Sequence, residues 1–180
     1  MMIKQFITVF FIVSFTCSLE AQDTTDIKIN LRHISGFKAL DIVTGMNKFG
    51  KYMQFGYSYY INNRTMFQSS VSWERGKINI AGYDDIFLHA GMSHTVYKIK
   101  EFCFINIHYC GLLGVENNKN TYLDKSESLF DYGGGAGGNI ELFLTDRIAL
   151  LLNFDEYYRL QNKFGKFHFH AGAGLRIFVQ

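Results

Sequence analysis

The sequence predicts an all-β fold: an eight-stranded antiparallel up-and-down transmembrane β-barrel that follows a cleaved signal peptide. Three observations carry this expectation. Apolar residues alternate with polar ones in stretch after stretch, none of the 180 residues is proline, and the one long apolar run lies at the N-terminus. Alternation marks strands with one face in an apolar medium. Proline cannot donate to a ladder, so a backbone whose N–H groups are nearly all paired has little use for it. With 48% hydrophobic residues and a net charge of +2, the composition excludes a disordered chain and a collagen-like one. Lys and Arg are scattered among Asp and Glu with no basic stripe, so no direct nucleic-acid contact is expected.

Met1 to Gln5 is a short basic lead, Phe6 to Phe15 is almost wholly apolar, and the stretch closes on the small residue Ala21. This reads as a secretory signal peptide over 1–21, leaving 22–180 as the barrel domain. A spanning anchor would need roughly 20 apolar residues, more than the run supplies. A lipidated Cys17 would follow Phe15 and Thr16, poor residues for that signal. Cys103 and Cys110 remain after cleavage; on one strand they point to opposite faces roughly 23 Å apart, beyond disulfide reach.

Strands are expected near 36–45, 51–61, 64–75, 85–97, 102–115, 130–143, 146–158 and 165–179. In the second, Phe55, Tyr57, Tyr59 and Ile61 alternate with Gln54, Gly56, Ser58 and Tyr60; in the fifth, Ile105, Ile107 and Tyr109 alternate with Asn106 and His108. The seventh sets Ile148, Leu150, Leu152 and Phe154 against Arg147, Asn153 and Asp155, with Ala149 and Leu151 softening the polar face. The eighth is clearest, with Phe167, Phe169, Ala171, Ala173, Leu175, Ile177 and Val179 on one face and Lys166, His168, His170, Gly172, Gly174, Arg176 and Phe178 on the other. Most segments reach the roughly 9–11 residues of a tilted spanning strand. The links at 62–63, 98–101 and 145–146 are tight, whereas 46–50, 76–84, 116–129 and 159–164 are longer. Such alternation fits an outer-membrane barrel with short periplasmic turns. Tyr52, Tyr59, Tyr97, Tyr132, Tyr157 and Tyr158, near strand ends, suit aromatic girdles.

The polar, glycine and paired-hydrophobic spacing of His170, Gly172, Leu175 and Ile177 resembles the last-strand signal read by barrel-assembly machinery, for which β-augmentation of an edge strand is the expected mode. The tract Leu144-Thr145-Asp146-Arg147-Ile148 to Asn153, followed by Gly165-Lys166-Phe167-His168 and a Gly-x-Gly pair, resembles the C-terminal third of the conjugal transfer protein TraO family of Bacteroides-type conjugative transposons. Tyr132-Gly133-Gly134-Gly135 with Ile140-Glu141, and Phe104-Ile105-Asn106 to Gly114-Val115-Glu116, resemble its middle; residues 23–100 carry no clear motif. The resemblance implies an envelope component of conjugative transfer, with other mating-machinery proteins and outer-membrane lipid as partners, and brings no catalytic residues.

No enzyme, cofactor or metal is expected. His168 and His170 share a face, as metal ligands can, but no third ligand stands at convincing spacing. Asp131, Glu141 and Asp155 against Arg147, Lys166 and Arg176 read as charges neutralising a barrel interior. Gly133 to Gly138 lacks the Lys-Ser/Thr ending of a phosphate loop and reads as a bend, or as a flat strip approached by another backbone or a bulky lumen side chain. Gly134, Ala136 and Gly138 on its outward face form a candidate docking strip, and the polar 116–129 loop, with Asn117 and Asn118, a candidate contact surface. The leading expectation is a structural and interaction component of the transfer machinery in the outer membrane. The alternatives are a generic barrel for adhesion or envelope maintenance and a soluble lipocalin-like carrier with inverted faces.

Overall fold

Eight strands run up and down around a closed barrel in chain order: β1 (Lys38–Asn47), β2 (Gly50–Tyr60), β3 (Thr65–Ile78), β4 (Ala81–Ile99), β5 (Cys103–Asn120), β6 (Lys125–Phe143), β7 (Ile148–Arg159) and β8 (Phe167–Val179). The structure, a computed structural model, describes residues 32–78, 81–120, 125–161 and 165–179, with the backbone alone at 78, 81, 118–120 and 125–127. The expected signal peptide over 1–21 lies outside the described residues. Every neighbouring pair of strands is antiparallel, and β1 closes onto β8 from Lys38 opposite Val179 to Asn47 opposite His170. The start of β1 and the end of β8 therefore share one rim, here called the terminal end; the opposite rim is the far end.

The alternating pattern becomes two surfaces. Leu40, Phe55, Ile86, Leu113, Phe154 and Ile177 are exposed on the outer wall, whereas Ser58, Glu74, Asn106, Glu141 and Arg176 are wholly buried inside it. A soluble carrier has the opposite polarity, apolar within and polar without, which removes the lipocalin-like alternative. At the terminal end the lumen is floored by an apolar cluster that includes Tyr60, Met66, Phe104, Phe143 and Phe178. The segment before β1 folds over that floor: the buried His33 ring stacks on Phe104 at 3.9 Å, and Arg32 lies over the Phe143 ring at 4.9 Å.

All eight expected strands are present, but three corrections concern their ends and faces. First, the supposed long loops at 76–84 and 116–129 are largely ladder, since β3 and β4 stay paired out to Ile78 and Ala81, and β5 and β6 out to Asn120 and Lys125. Link lengths consequently do not alternate in the expected way; what differs is strand height, because β6 meets β7 only from Gly133 opposite Arg159. Beyond the apolar band a strand no longer needs an apolar face, so polar residues such as Glu116 and Asn117 hide it from a periodicity reading. Second, Tyr52 and Tyr157 point into the lumen and are buried, whereas Tyr59, Tyr97, Tyr132 and Tyr158 do lie on the wall. Third, Arg147 sits exposed in the β6–β7 turn and Lys166 exposed before β8, so neither is an interior charge.

The glycine run of β6 makes room for β7. A Cβ at Gly135 would stand 2.3 Å from the Tyr157 ring, and one at Gly137 would stand 2.2 Å from the Asp155 carboxylate. Both glycines face inward, and the side chains of β7 occupy the space that their own would have taken. Gly135→Val is expected to block closure, seen as loss of the compact, heat-modifiable band on unboiled gel electrophoresis, while Gly134→Val on the outer face keeps it.

Candidate functional site in the lumen and on the wall

Two buried arginines organise the lumen. Towards the terminal end Arg176 of β8 donates to both oxygens of Asp41 (2.7 Å each), to Glu141 (3.0 Å) and to the Tyr60 hydroxyl (3.0 Å). Strand pairing sets this up, because Asp41 is the register partner of Arg176 across the closing seam. Ser58 donates to Asp41 at 2.8 Å, and the His33 ring donates to Glu141 at 3.1 Å, tying the segment before β1 into the same network. Towards the far end Arg159 of β7 pairs with Glu74 and, at 3.4 Å, with Asp85, its guanidinium lying 4.0 Å over the Phe87 ring. Asn47 donates to the other Glu74 oxygen at 3.1 Å.

Beside Arg176 lies a small chamber where Gln54, Gln68, His89, His108, Asn139 and Asp155 meet Val43, Leu151 and Tyr157. His108 is bonded to Asp155, and His89 to the Ser72 hydroxyl at 2.8 Å. These pairs resemble pieces of a hydrolytic site, but they belong to separate contacts and lie deep in a filled lumen. Nucleophilic catalysis needs nucleophile, base and orienting group in one connected chain with substrate access. Among the described residues no group of three or more His, Cys, Asp or Glu could hold a metal. His168 instead donates to the Gly165 carbonyl at 2.7 Å, and Gly165, at φ +117°, takes the left-handed turn that suits glycine. Cys103 and Cys110 are free thiols.

The candidate residues occupy three separate places. His170 is buried in the lumen, stacked on Tyr52 at 4.8 Å and edge-on to Tyr157 at 4.9 Å; Gly172 faces inward against the Tyr52 hydroxyl; Leu175 and Ile177 lie on the wall. Gly134, Ala136 and Gly138 lie on the outer face of mid-β6. Asn117 and Asn118 lie in the raised β5–β6 ladder opposite Ser128 and Glu127, and Ser128 donates to Asn117 at 2.5 Å. The strip and the raised hairpin therefore share the β5–β6 side, while the last-strand residues lie on β8, divided between lumen and wall. Of the interior charges, Asp131, Glu141, Asp155 and Arg176 are where the alternation put them. Arg159, Glu74, Asp85 and Asp41 were missed. Glu74 shares parity with Ser72 against Trp73 and was recoverable from alternation, whereas Arg159 fell just past the expected end of its strand.

Removing one partner of a buried ion pair leaves the other charge unpaired, at a cost of about 3–5 kcal/mol. Arg176→Met is expected to destabilise the barrel by about that amount in urea titrations in lipid vesicles. Adding Asp41→Asn and Glu141→Gln to Arg176→Met should restore much of the loss.

Comparison with known proteins places this architecture. The N-terminal β-barrel domain of Pseudomonas aeruginosa OprF superposes with a TM-score of 0.64 at 12% identity, covering 81% of this chain and 98% of that one. Neisserial surface protein A gives 0.62 at 14% identity, covering 79% and 97%. Ail, the attachment invasion locus protein of Yersinia pestis, gives 0.52 at 14% identity, covering 80% and 100%. No curated protein sequence matches. The fold is thus that of small outer-membrane barrels. The family model described as conjugative transposon protein TraO matches residues 34–179, taking in β1 to β4 as well as the C-terminal half where the motifs lie. Two of those motifs form turns: the Thr145 hydroxyl accepts from the backbone N–H of Arg147 (3.2 Å) and Ile148 (3.1 Å), and Gly165 sets up the entry to β8. By a match that spans all eight strands, this chain belongs to the TraO family of conjugative transposon proteins.

Proposed function

We propose that this chain is a structural, non-enzymatic component of the conjugative transfer machinery, exported by the 1–21 signal peptide and seated in the outer membrane. Membership of the TraO family is the observation that carries the reading. The wall supports the location: an apolar outer surface over a closed ladder meets the demand that no backbone group in lipid go unpaired. Strands β3 to β6 climb past the level of their neighbours only at the far end, which assigns that end to the outside and the terminal end to the periplasm. The lumen supports a role without transport of DNA, since eight strands leave room only for side chains and both arginine networks fill it.

Contacts to other machinery proteins are assigned to the β5–β6 side, through Asn117 and Asn118 on the raised hairpin and Gly134, Ala136 and Gly138 on the wall. His170, Gly172, Leu175 and Ile177 belong to the strand offered to the barrel-assembly machinery during insertion. The generic alternative, adhesion or envelope maintenance, draws on the same fold likeness.

Deleting the gene from its element should reduce mating to background, restored by the wild-type gene in trans. Undiminished transfer with altered adhesion or envelope integrity would instead favour the generic reading. Location has its own check: Leu150→Arg places a charge on the wall and should cost about 2–4 kcal/mol in vesicle-embedded unfolding. A water-soluble folded variant would sink the membrane reading.

A further inference from the structure

The outer wall at the far end of β2 and β3 carries a cluster of cations that the transfer role does not use. Lys51 and Arg75 are register partners on adjacent strands, and Lys77 stands two residues beyond Arg75 on the same face. All three are exposed on the lipid-facing side, in line with Met53, Val71 and Trp73. Like charges directly opposite one another destabilise a sheet. The protein relieves only part of this. Asp84, the β4 partner of Arg75, accepts from its Nη2 at 2.7 Å and from its Nε at 3.2 Å, and also from the Trp73 indole at 2.7 Å. Arg75 is thereby laid along the wall, 5.1 Å over the Trp73 ring. Lys51 and Lys77 have no carboxylate partner among the described residues.

We propose that Lys51, Arg75 and Lys77 form a binding site for the phosphate group of an outer-leaflet glycolipid. The inference rests on the outer-membrane reading with the far end outward. Cross-strand partners bring their Cβ atoms to about 5 Å, and residues two apart on a strand are separated by about 7 Å, so one phosphate can touch all three side chains. Several acceptor oxygens and a full negative charge match a guanidinium edge flanked by two ammonium groups. Position selects a lipid over a dissolved phosphate. The three cations leave the wall sideways, immediately above Met53 and Trp73, and tryptophan marks the headgroup level of a bilayer. A phosphate anchored there has its acyl chains alongside Met53, Phe55 and Val71, all exposed on the wall.

Trp73, the single tryptophan of the chain, is a built-in reporter beside the site. The full mature barrel is folded into phosphatidylcholine vesicles containing a minor fraction of dansyl-labelled lipid A, with its phosphates intact or removed. Energy transfer from Trp73 measures local enrichment, and a gel-shift on unboiled samples reports insertion. Enrichment is expected for phosphorylated lipid A, and Lys51→Gln with Lys77→Gln should weaken it about 25-fold, at about fivefold per cation near a charged membrane surface. Lys38→Gln with Arg147→Gln, at the terminal end, should leave it unchanged. Equal enrichment of the dephosphorylated lipid, no effect of the lysine pair, or competition by millimolar inorganic phosphate as effective as by lipid A would overturn the lipid site while insertion still upheld the membrane reading. Failure to insert into any vesicle would overturn both.

Discussion

Closure of the ladder is the constraint on which the rest depends. An open sheet in lipid would leave the outer edges of β1 and β8 without partners, at several kcal/mol for each unpaired group. The antiparallel seam from Lys38–Val179 to Asn47–His170 removes both edges. It also sets polarity for the whole wall, because side chains alternate with period two and a slip of one residue would exchange the faces. In the observed register Ile42 meets Leu175 on the outside, and Asp41 meets Arg176 on the inside.

Closure in turn creates a lumen that must be filled. Large polar side chains take the space, and each buried charge needs a partner. Arg176 and Arg159 gather carboxylates from β1, β3, β4 and β6, so each network joins strands that are not neighbours in the sheet. An ion pair of this kind contributes little net stability compared with an apolar core, but it penalises wrong registers heavily. Gly135 and Gly137 belong to the same economy of space, since Tyr157 and Asp155 could not lie where they do beside a bulkier β6. Barrel shape and lumen chemistry are thus one problem solved twice, by backbone outside and by side chains inside.

Alternation in the sequence was sufficient for eight strands, their order and most of their faces, because lipid on one side and charge on the other leave a sharp period-two record. It failed where that contrast fades. Glu116, Asn117 and Ser128 lie in paired strand that has risen past the apolar band, and read as loop. Tyr52 and Tyr157 misled because a tyrosine suits an interfacial girdle and a crowded lumen equally well. Arg159 was lost with the end of β7, and Arg147 and Lys166 were assigned inward by parity that does not continue into turns. His33 had no local pattern at all; its burial depends on Phe104 and Glu141, far away in the chain.

The unequal height of the strands also gives the barrel a front and a back. On the β3–β6 side the ladder climbs above the level at which β6 leaves β7, while β7, β8, β1 and β2 stop lower. Viewed down its axis the molecule has a compass bearing, which a level-rimmed barrel would lack. A neighbour that grips the crest is held at one azimuth as well as one depth, and identical copies set in a ring must turn every crest towards the centre, every crest away from it, or every crest along the rim.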